Sequence, residues 1–243
     1  METTYFSIDS KSRSQCEKLN KKYRQGKFIG KGAYGKVYEV CLKDDCKYVL
    51  KVIKFDYSIY EMSGVDNLSF DSFKEKWIQE IEMHMSMQKC ESDFGTRFIP
   101  HLYDAWFCSE QEEFKNKDSI DMDGYFYMVI EKFDGTLFNF IDKFKRYSSL
   151  VQKLVNTIIK DTIMQKLRLA LDHVHNNCNI CINDIKMDNI LYREDKNTFT
   201  FVFSDFGLSS QCTYNPDEKC KIEDNRRLES TIAIFLKELQ IEE

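Results

Sequence analysis

Two prolines in 243 residues, and no Ser-rich tract, leave nothing that marks a linker between independent modules. A large excess of charge of either sign is also missing. With 35 basic and 40 acidic residues the formal charge is −5, so neither a general polyanion-binding surface nor specific nucleic-acid binding is indicated, while a local basic groove stays compatible. No stretch approaches the roughly 20 consecutive apolar residues that cross a bilayer, and no membrane partner is expected. An apolar leader is absent as well, and nine cysteines of odd count and scattered position do not suggest a disulfide framework. Together these predict a reducing compartment, cytoplasmic or nuclear, with the cytoplasm of an infected host cell fitting equally. What is present is 42% hydrophobic residues, enough for a sizeable core.

The polar stretch 1–22 reads as an arm or short helix packed outside that core. From residue 23 the pattern alternates. Tyr23–Ile29, Val37–Val40, Tyr48–Ile53, 101–108 and 125–131 carry strand signals, which makes a five-stranded antiparallel lobe over 23–132. Its one main helix is predicted over about 73–88 from Phe73, Trp77, Ile81, Met85 and Gln88, capped by Asp71 or Ser72. Residues 55–72 look like an exposed insertion and 109–124 like an acidic loop. Residues 133–243 form a second, reduced lobe that is mainly helical. A short helix is marked by Leu137, Phe138 and Ile141, and a long one by Leu154, Ile158, Ile163, Leu167, Leu171 and Val174. Short strands are expected at 190–193 and 199–204, and a terminal helix over 223–240 with Ile232, Ile234, Phe235 and Leu239 for packing. The fold class is α+β.

Four strings carry chemistry. Gly30, Gly32 and Gly35, with Val37 following, let a backbone turn sharply and bring amide hydrogens close to phosphate oxygens where a Cβ would obstruct. They fall between two strands, not between a strand and a helix, which argues against a dinucleotide fold. Tyr34 at the tip either lies over phosphates or faces solvent. Lys51 sits mid-strand, sixteen residues after Gly35, either as edge decoration or as a fixed charge for phosphates. Glu80 is its better partner and Glu82 the rival, because Glu80 lies between Trp77 and Ile81 on the inward side. Asp184-Ile185-Lys186-Met187-Asp188-Asn189 then places a carboxylate, a cation and an amide within one loop. That spacing suits orienting a hydroxyl, steadying a transferring phosphoryl group and binding metal. Twenty-one residues after Asp184, Asp205-Phe206-Gly207 follows the apolar run Phe201-Val202-Phe203, and Mg²⁺ with triphosphate is the obvious partner for a carboxylate so placed.

In that order the four strings resemble the eukaryotic-type protein kinase superfamily over about residues 23–235. The abundance of Asn, Tyr, Phe and Ile is similar to that of minimal Ser/Thr kinases of large DNA viruses. The resemblance implies a bilobal protein-kinase-like fold and ATP- and Mg²⁺-dependent phosphoryl transfer to Ser/Thr hydroxyls of a protein substrate. The Ser/Thr preference rests on Lys186. By the same resemblance the three glycines form the glycine-rich loop, and Lys51 and Glu80 the strand–helix ion pair. Ile130 is the gatekeeper, and Glu131 to Phe133 the hinge that meets adenine. Asp184 is the catalytic aspartate, Asn189 and Asp205 are metal ligands, and Asp224 is the buried support of the catalytic loop.

Two departures stand out. Ile182-Asn183 replaces the family's His-Arg before Asp184, so no arginine waits for a phosphorylated segment, and Ile182 is expected to fill the slot beside Phe206. Only 36 residues follow Gly207, with no Ala-Pro-Glu string, which predicts a shortened lobe and keeps two alternatives open. These are a weak or inactive kinase-like interaction protein engaging a regulatory partner, and a kinase-fold phosphotransferase acting on a small molecule.

His84, one turn past Glu80, stands where the family carries an apolar residue near Phe206 and Leu102. A charged imidazole is costly there, so the sequence predicts a loosely seated helix that a partner protein or the arm 1–22 would hold. His173, His175, Cys178 and Cys181 read as helix-end and core residues rather than a zinc set. Met83, Met85 and Met87 read as gap-fillers, and Lys143, Lys145 and Arg146 as a solvated basic face.

Overall fold

Strict alternation over Gly124–Glu131 sends Phe126 and Met128 to one side of a strand and Tyr127 and Val129 to the other, and a complete sheet is organised around that rule. The computed structural model describes residues 10, 11, 13–31, 35–42, 45–55, 70–94, 97–109, 124–159, 164–196, 198–212 and 218–240. The chain divides into two compact units, Met1–Ile81 with His101–Lys132, and Glu82–Pro100 with Phe133–Glu243. Among the described residues no helix is long and apolar enough to cross a membrane.

The first unit holds β1 (Ser10–Lys11), α1 (Arg13–Lys22), β2 (Arg24–Lys31), β3 (Lys36–Leu42), β4 (Asp45–Phe55), the opening turns of α2 (Phe70–Phe94), β5 (Leu102–Ser109) and β6 (Gly124–Glu131). Strand order is β1-β5-β6-β4-β3-β2. The five antiparallel strands expected from the alternation are there, and β1 adds a sixth, parallel to β5, from within the arm. Two residues are too few to show a period, which is why β1 left no signal. The predicted insertion at 55–72 and acidic loop at 109–124 lie largely outside the described residues.

Each sheet face has its own apolar layer. Ile53, Leu102, Ala105, Phe107, Phe126 and Met128 pack with Trp77 and Ile81 of α2. On the opposite face Val40, Leu50, Trp106, Cys108 and Val129 pack with Cys16 of α1 and with Tyr23. Burying each such side chain contributes about 1.5–3 kcal/mol. Tyr23 stacks on Trp106 at 5.4 Å and donates to Asp104 Oδ2 at 2.7 Å; burial, reinforced by that bond, pushes its phenol well above the ordinary range. The arm is therefore part of this core rather than outside it.

The second unit contains the remainder of α2, then β7 (Gly135–Thr136), α3 (Leu137–Phe144), α4 (Ser149–Ile158), α5 (Met164–Asn176), β8 (Ile180–Cys181), β9 (Ile190–Asp195), β10 (Thr198–Phe203), β11 (Ser210–Gln211) and α6 (Glu218–Glu238). The hairpin β9–β10 carries β7 at its edge, and β8 pairs with β11. α5 buries Met164, Leu167, Leu171 and Val174, a three-to-four-residue repeat. The long helix expected to end near Asn176 is described as α4 and α5, with 160–163 between them outside the described residues, and Leu154 is exposed rather than packed. Lys143 pairs with Glu194 and Lys145 with Glu238, so two of the three charges of the basic face are compensated.

The expectation of no disulfides is also corrected. Cys16–Cys108, Cys41–Cys46, Cys90–Cys178 and Cys181–Cys220 are bonded, and Cys212 is a free thiol. Three of these pairs join residues 39 to 92 positions apart, brought together by the fold and invisible in the spacing.

Phe140 is the hub of this unit's core. Fully buried, it meets Tyr192, Phe199 and Phe201 edge-on at 5.1, 5.3 and 5.4 Å and Phe235 at 5.9 Å, tying α3 to the hairpin and to α6. Phe140→Ala is expected to cost about 3–5 kcal/mol in urea unfolding. A loss below about 1 kcal/mol would mean that the ring does not organise the cluster.

Candidate active site

In the first unit β2 and β3 meet at the glycine string, with Gly30 opposite Val37. Gly32 and Tyr34 lie outside the described residues. A Cβ on Gly35 would stand 2.6 Å from the Val52 carbonyl oxygen, so packing alone requires glycine there. A Cβ on Gly30 would meet no described atom within 4 Å. Among the described residues, therefore, no neighbour requires glycine at 30.

Lys51 lies in β4 between Val37 of β3 and Met128 of β6, at the middle of the sheet. Its Nζ is 2.6 Å from Glu80 Oε1, with both side chains mostly buried. That excludes edge decoration. Glu82 is exposed, so the choice between the two carboxylates falls as the helix geometry predicts. The inward stripe of α2 runs Trp77, Glu80, Ile81, Met83, His84, Met87, and Met85, expected on it, is instead exposed. Ile130, one residue before the end of β6, lies beside Val49 and Leu102. The Glu131 N–H donates to the His101 carbonyl at 2.8 Å, and its Oε2 accepts the His101 N–H at 3.1 Å. Glu131 is thus a brace of the strand end.

In the second unit Phe133 is buried under the Arg193 guanidinium, 4.8 Å above its ring. The loop after β8 hangs from one carboxylate. Asp224 of α6, fully buried, accepts the N–H groups of Ile182 and Asn183 at 2.7 and 2.8 Å and faces His175 Nε2 at 3.0 Å. The two carbonyls are held as well: Ser209 Oγ donates to Ile182 O at 3.1 Å, and Arg227 donates to Asn183 O. Asp184 follows. Its Oδ2 accepts Lys186 Nζ at 2.6 Å and Asn189 Nδ2 at 2.8 Å, and Asn189 Nδ2 also reaches the Asp184 carbonyl at 2.9 Å. The bond to Asp184 raises the Lys186 ammonium above its ordinary value. Ser204 N and Oγ both donate to the Asn189 carbonyl, at 2.8 and 3.0 Å, which places Asp205 one residue on. Asp205 has φ 63°, a conformation that Asp tolerates better than most residues.

Asn189 spends its amide hydrogens on Asp184, so the atom it could offer a cation is Oδ1. With the Asp205 carboxylate this is a set of hard oxygens suited to Mg²⁺. Residues 23–225, well over half of the chain, match the family described as the protein kinase domain. The chain belongs to that family. The two units are the two lobes of its bilobal fold, a β-sheet lobe and a mainly helical one.

The kinase departs from its family's pattern at Asn183. Where an arginine would need a phosphate, Asn183, at φ 65°, donates from Nδ2 to the Leu208 carbonyl and to Ser210 Oγ, each at 2.9 Å. The segment after Asp-Phe-Gly is therefore clamped by a neutral amide, and Ile182 joins the buried cluster that contains Phe206. His84 corrects an expectation. It meets Phe206 edge-on at 5.0 Å, as anticipated, but its Nε2 is 2.6 Å from the Pro100 carbonyl oxygen. A buried imidazole with a specific acceptor is a fastener, so the idea of a helix loosened by His84 fails. Sequence reasoning also missed Ser209, His175 and Arg227. None lies in a motif, and each acts across 27 to 49 residues.

His84→Leu should lower the melting temperature, removing about 1–3 kcal/mol by orphaning the buried Pro100 carbonyl. A rise would restore the misfit reading. Asn183→Gly keeps the positive φ and deletes only the side-chain bonds. Amide exchange at 208–211 should quicken about tenfold, corresponding to the loss of roughly 1 kcal/mol of hydrogen bonding. Unchanged exchange would show that the clamp is idle.

Proposed function

We propose that this kinase transfers the terminal phosphate of ATP, with Mg²⁺, to serine or threonine hydroxyls of a protein substrate. The observation that carries this reading is the disposition of Asp184. Lys186 and Asn189 both bind Oδ2, which fixes the carboxylate and leaves Oδ1 to accept a substrate hydroxyl. Lys186, two residues on, offers positive charge where the transferring group would carry negative charge, and its place in the loop supports the Ser/Thr assignment. Asn189 Oδ1 and Asp205 would hold Mg²⁺. Lys51, oriented by Glu80, would meet the α- and β-phosphates, and Gly30 leaves room for phosphate oxygens to approach the backbone. Ile130, Glu131 and Phe133 would meet adenine, and Val37 would contribute to holding the nucleotide. When bound, Mg²⁺-ATP would supply an electrophilic phosphorus, the metal partly neutralising the negative charge of the phosphate oxygens.

The neutral clamp at Asn183 supports activity without phosphorylation of the segment after Asp-Phe-Gly. A radiolabelled transfer assay over a panel of proteins and small alcohols separates protein kinase from small-molecule phosphotransferase, and label on neither would favour an interaction role.

Asp184→Asn should leave nucleotide binding nearly intact while cutting transfer at least about 100-fold. Asp205→Asn should weaken Mg²⁺-nucleotide affinity together with turnover. Titration calorimetry beside turnover decides between them, and full activity in both variants would sink the assignment.

A further inference from the structure

Three of the nine cysteines converge beside the catalytic loop. Cys181 ends β8 directly before Ile182, Cys212 follows β11, and Cys220 lies in the first turn of α6. Cys212 Sγ is 3.1 Å from Cys181 Sγ and 3.9 Å from Cys220 Sγ, and the three sulfurs all lie within 4.8 Å of one another. A disulfide uses two sulfurs, and here it joins Cys181 to Cys220. The third adds nothing to that bond. What a third sulfur completes is a metal site, because thiolates about 2.3 Å from a tetrahedral zinc ion stand roughly 3.8 Å apart. The two Cys212 separations lie either side of that edge.

We propose that Cys181, Cys212 and Cys220 bind one zinc ion when the Cys181–Cys220 bond is reduced. A thiol or phosphine reductant supplies two electrons to open the disulfide, two protons complete the thiols, and zinc then displaces up to three protons as the thiolates ligate it. Disulfide and metal are alternative uses of the same sulfurs, since oxidation leaves Cys212 alone. His175, which groups with Cys181 but not with the other two sulfurs, faces Asp224 at 3.0 Å through Nε2, so the fourth position falls to water. Cys181 is buried, while the partial exposure of Cys212 and Cys220 gives the ion an entry path. A bound ion would tie β8 to α6 four residues ahead of Asp224, on which the catalytic loop hangs.

Cys90, His173 and Cys178 form a second convergent group and serve as the control. They offer two sulfurs and one imidazole, and reduction opens their disulfide as well, so Cys90→Ser tells zinc held there from zinc held by the three sulfurs. In the test, the full chain is reduced with a phosphine under nitrogen, loaded with Zn²⁺, freed of excess metal by gel filtration and assayed for metal per chain. Co²⁺ loading is followed by its sulfur-to-metal absorption. The expected content is about one zinc per chain in the wild type, below about one fifth in Cys212→Ser and Cys220→Ser, and unchanged in Cys90→Ser. Cys212→Ser breaks no disulfide, and circular dichroism checks its fold. A measurement that needs no variant is iodoacetamide labelling mapped by mass spectrometry, in which zinc should shield Cys181, Cys212 and Cys220. No zinc on the reduced wild type, full zinc on Cys212→Ser, loss in Cys90→Ser alone, or labelling indifferent to zinc would each overturn the site. None of these outcomes bears on phosphoryl transfer.

Discussion

The Asp224 carboxylate is the point on which the loop that carries Asp184 depends. An ionised carboxylate without water is costly unless hydrogen bonds replace its hydration. Here two backbone N–H groups and an imidazole do so. The bonding is complete in the other direction too. Ile182 and Asn183 give both N–H groups to Asp224, and their carbonyls accept from Ser209 and Arg227, so no polar atom of these peptide units is left without a partner. The backbone that leads into Asp184 is thus set by α6 and by the turn after Asp-Phe-Gly, while its carboxylate is held by Lys186 and Asn189. The left-handed Asn183 is the cost of that arrangement, of order 1 kcal/mol, and asparagine is among the residues that bear it best.

The first lobe solves a different problem with the same economy. Lys51 stands on a central strand, where an ammonium would otherwise lose its hydration to apolar neighbours. Glu80 lies on the only stripe of α2 that faces the sheet, alongside Trp77 and Ile81. The apolar packing that seats the helix also seats the carboxylate, and charge and core are therefore not independent. A change that shifted α2 by one position would carry Glu80 off the stripe and break a mostly buried ion pair, a loss of about 3–5 kcal/mol.

The legible part of this structure was the part with short-range rules. Alternation revealed the five main strands, the helical stripe selected Glu80 over Glu82, and spacing assembled Asp184, Lys186, Asn189 and Asp205. The misses share a cause. Ser209, His175 and Arg227 serve the loop across tens of residues, and cysteine pairs such as Cys90–Cys178 meet only after folding. His84 shows the same limit from the other side. Judged by its neighbours on the helix it is a polar intruder, and only the Pro100 carbonyl, sixteen residues on, makes it a native contact.

The replacement of a charged residue by Asn183 changes the character of the segment that follows Asp-Phe-Gly. An arginine paired with a phosphate makes charge-assisted bonds about twice as strong as neutral ones, and they exist only after modification. Asn183 makes two neutral bonds, to Leu208 O and Ser210 Oγ, that need no modification. Each contributes only about 0.5–1.5 kcal/mol, but neither has to be switched on. β11 adds backbone pairing to β8 at Ser210 and Gln211, so the segment is held from the strand side as well. Order that another kinase would acquire by phosphorylation is in this chain a property of the unmodified fold. Control over it, where it exists, has to act on the supports of the loop, and those converge on β8 and the first turns of α6.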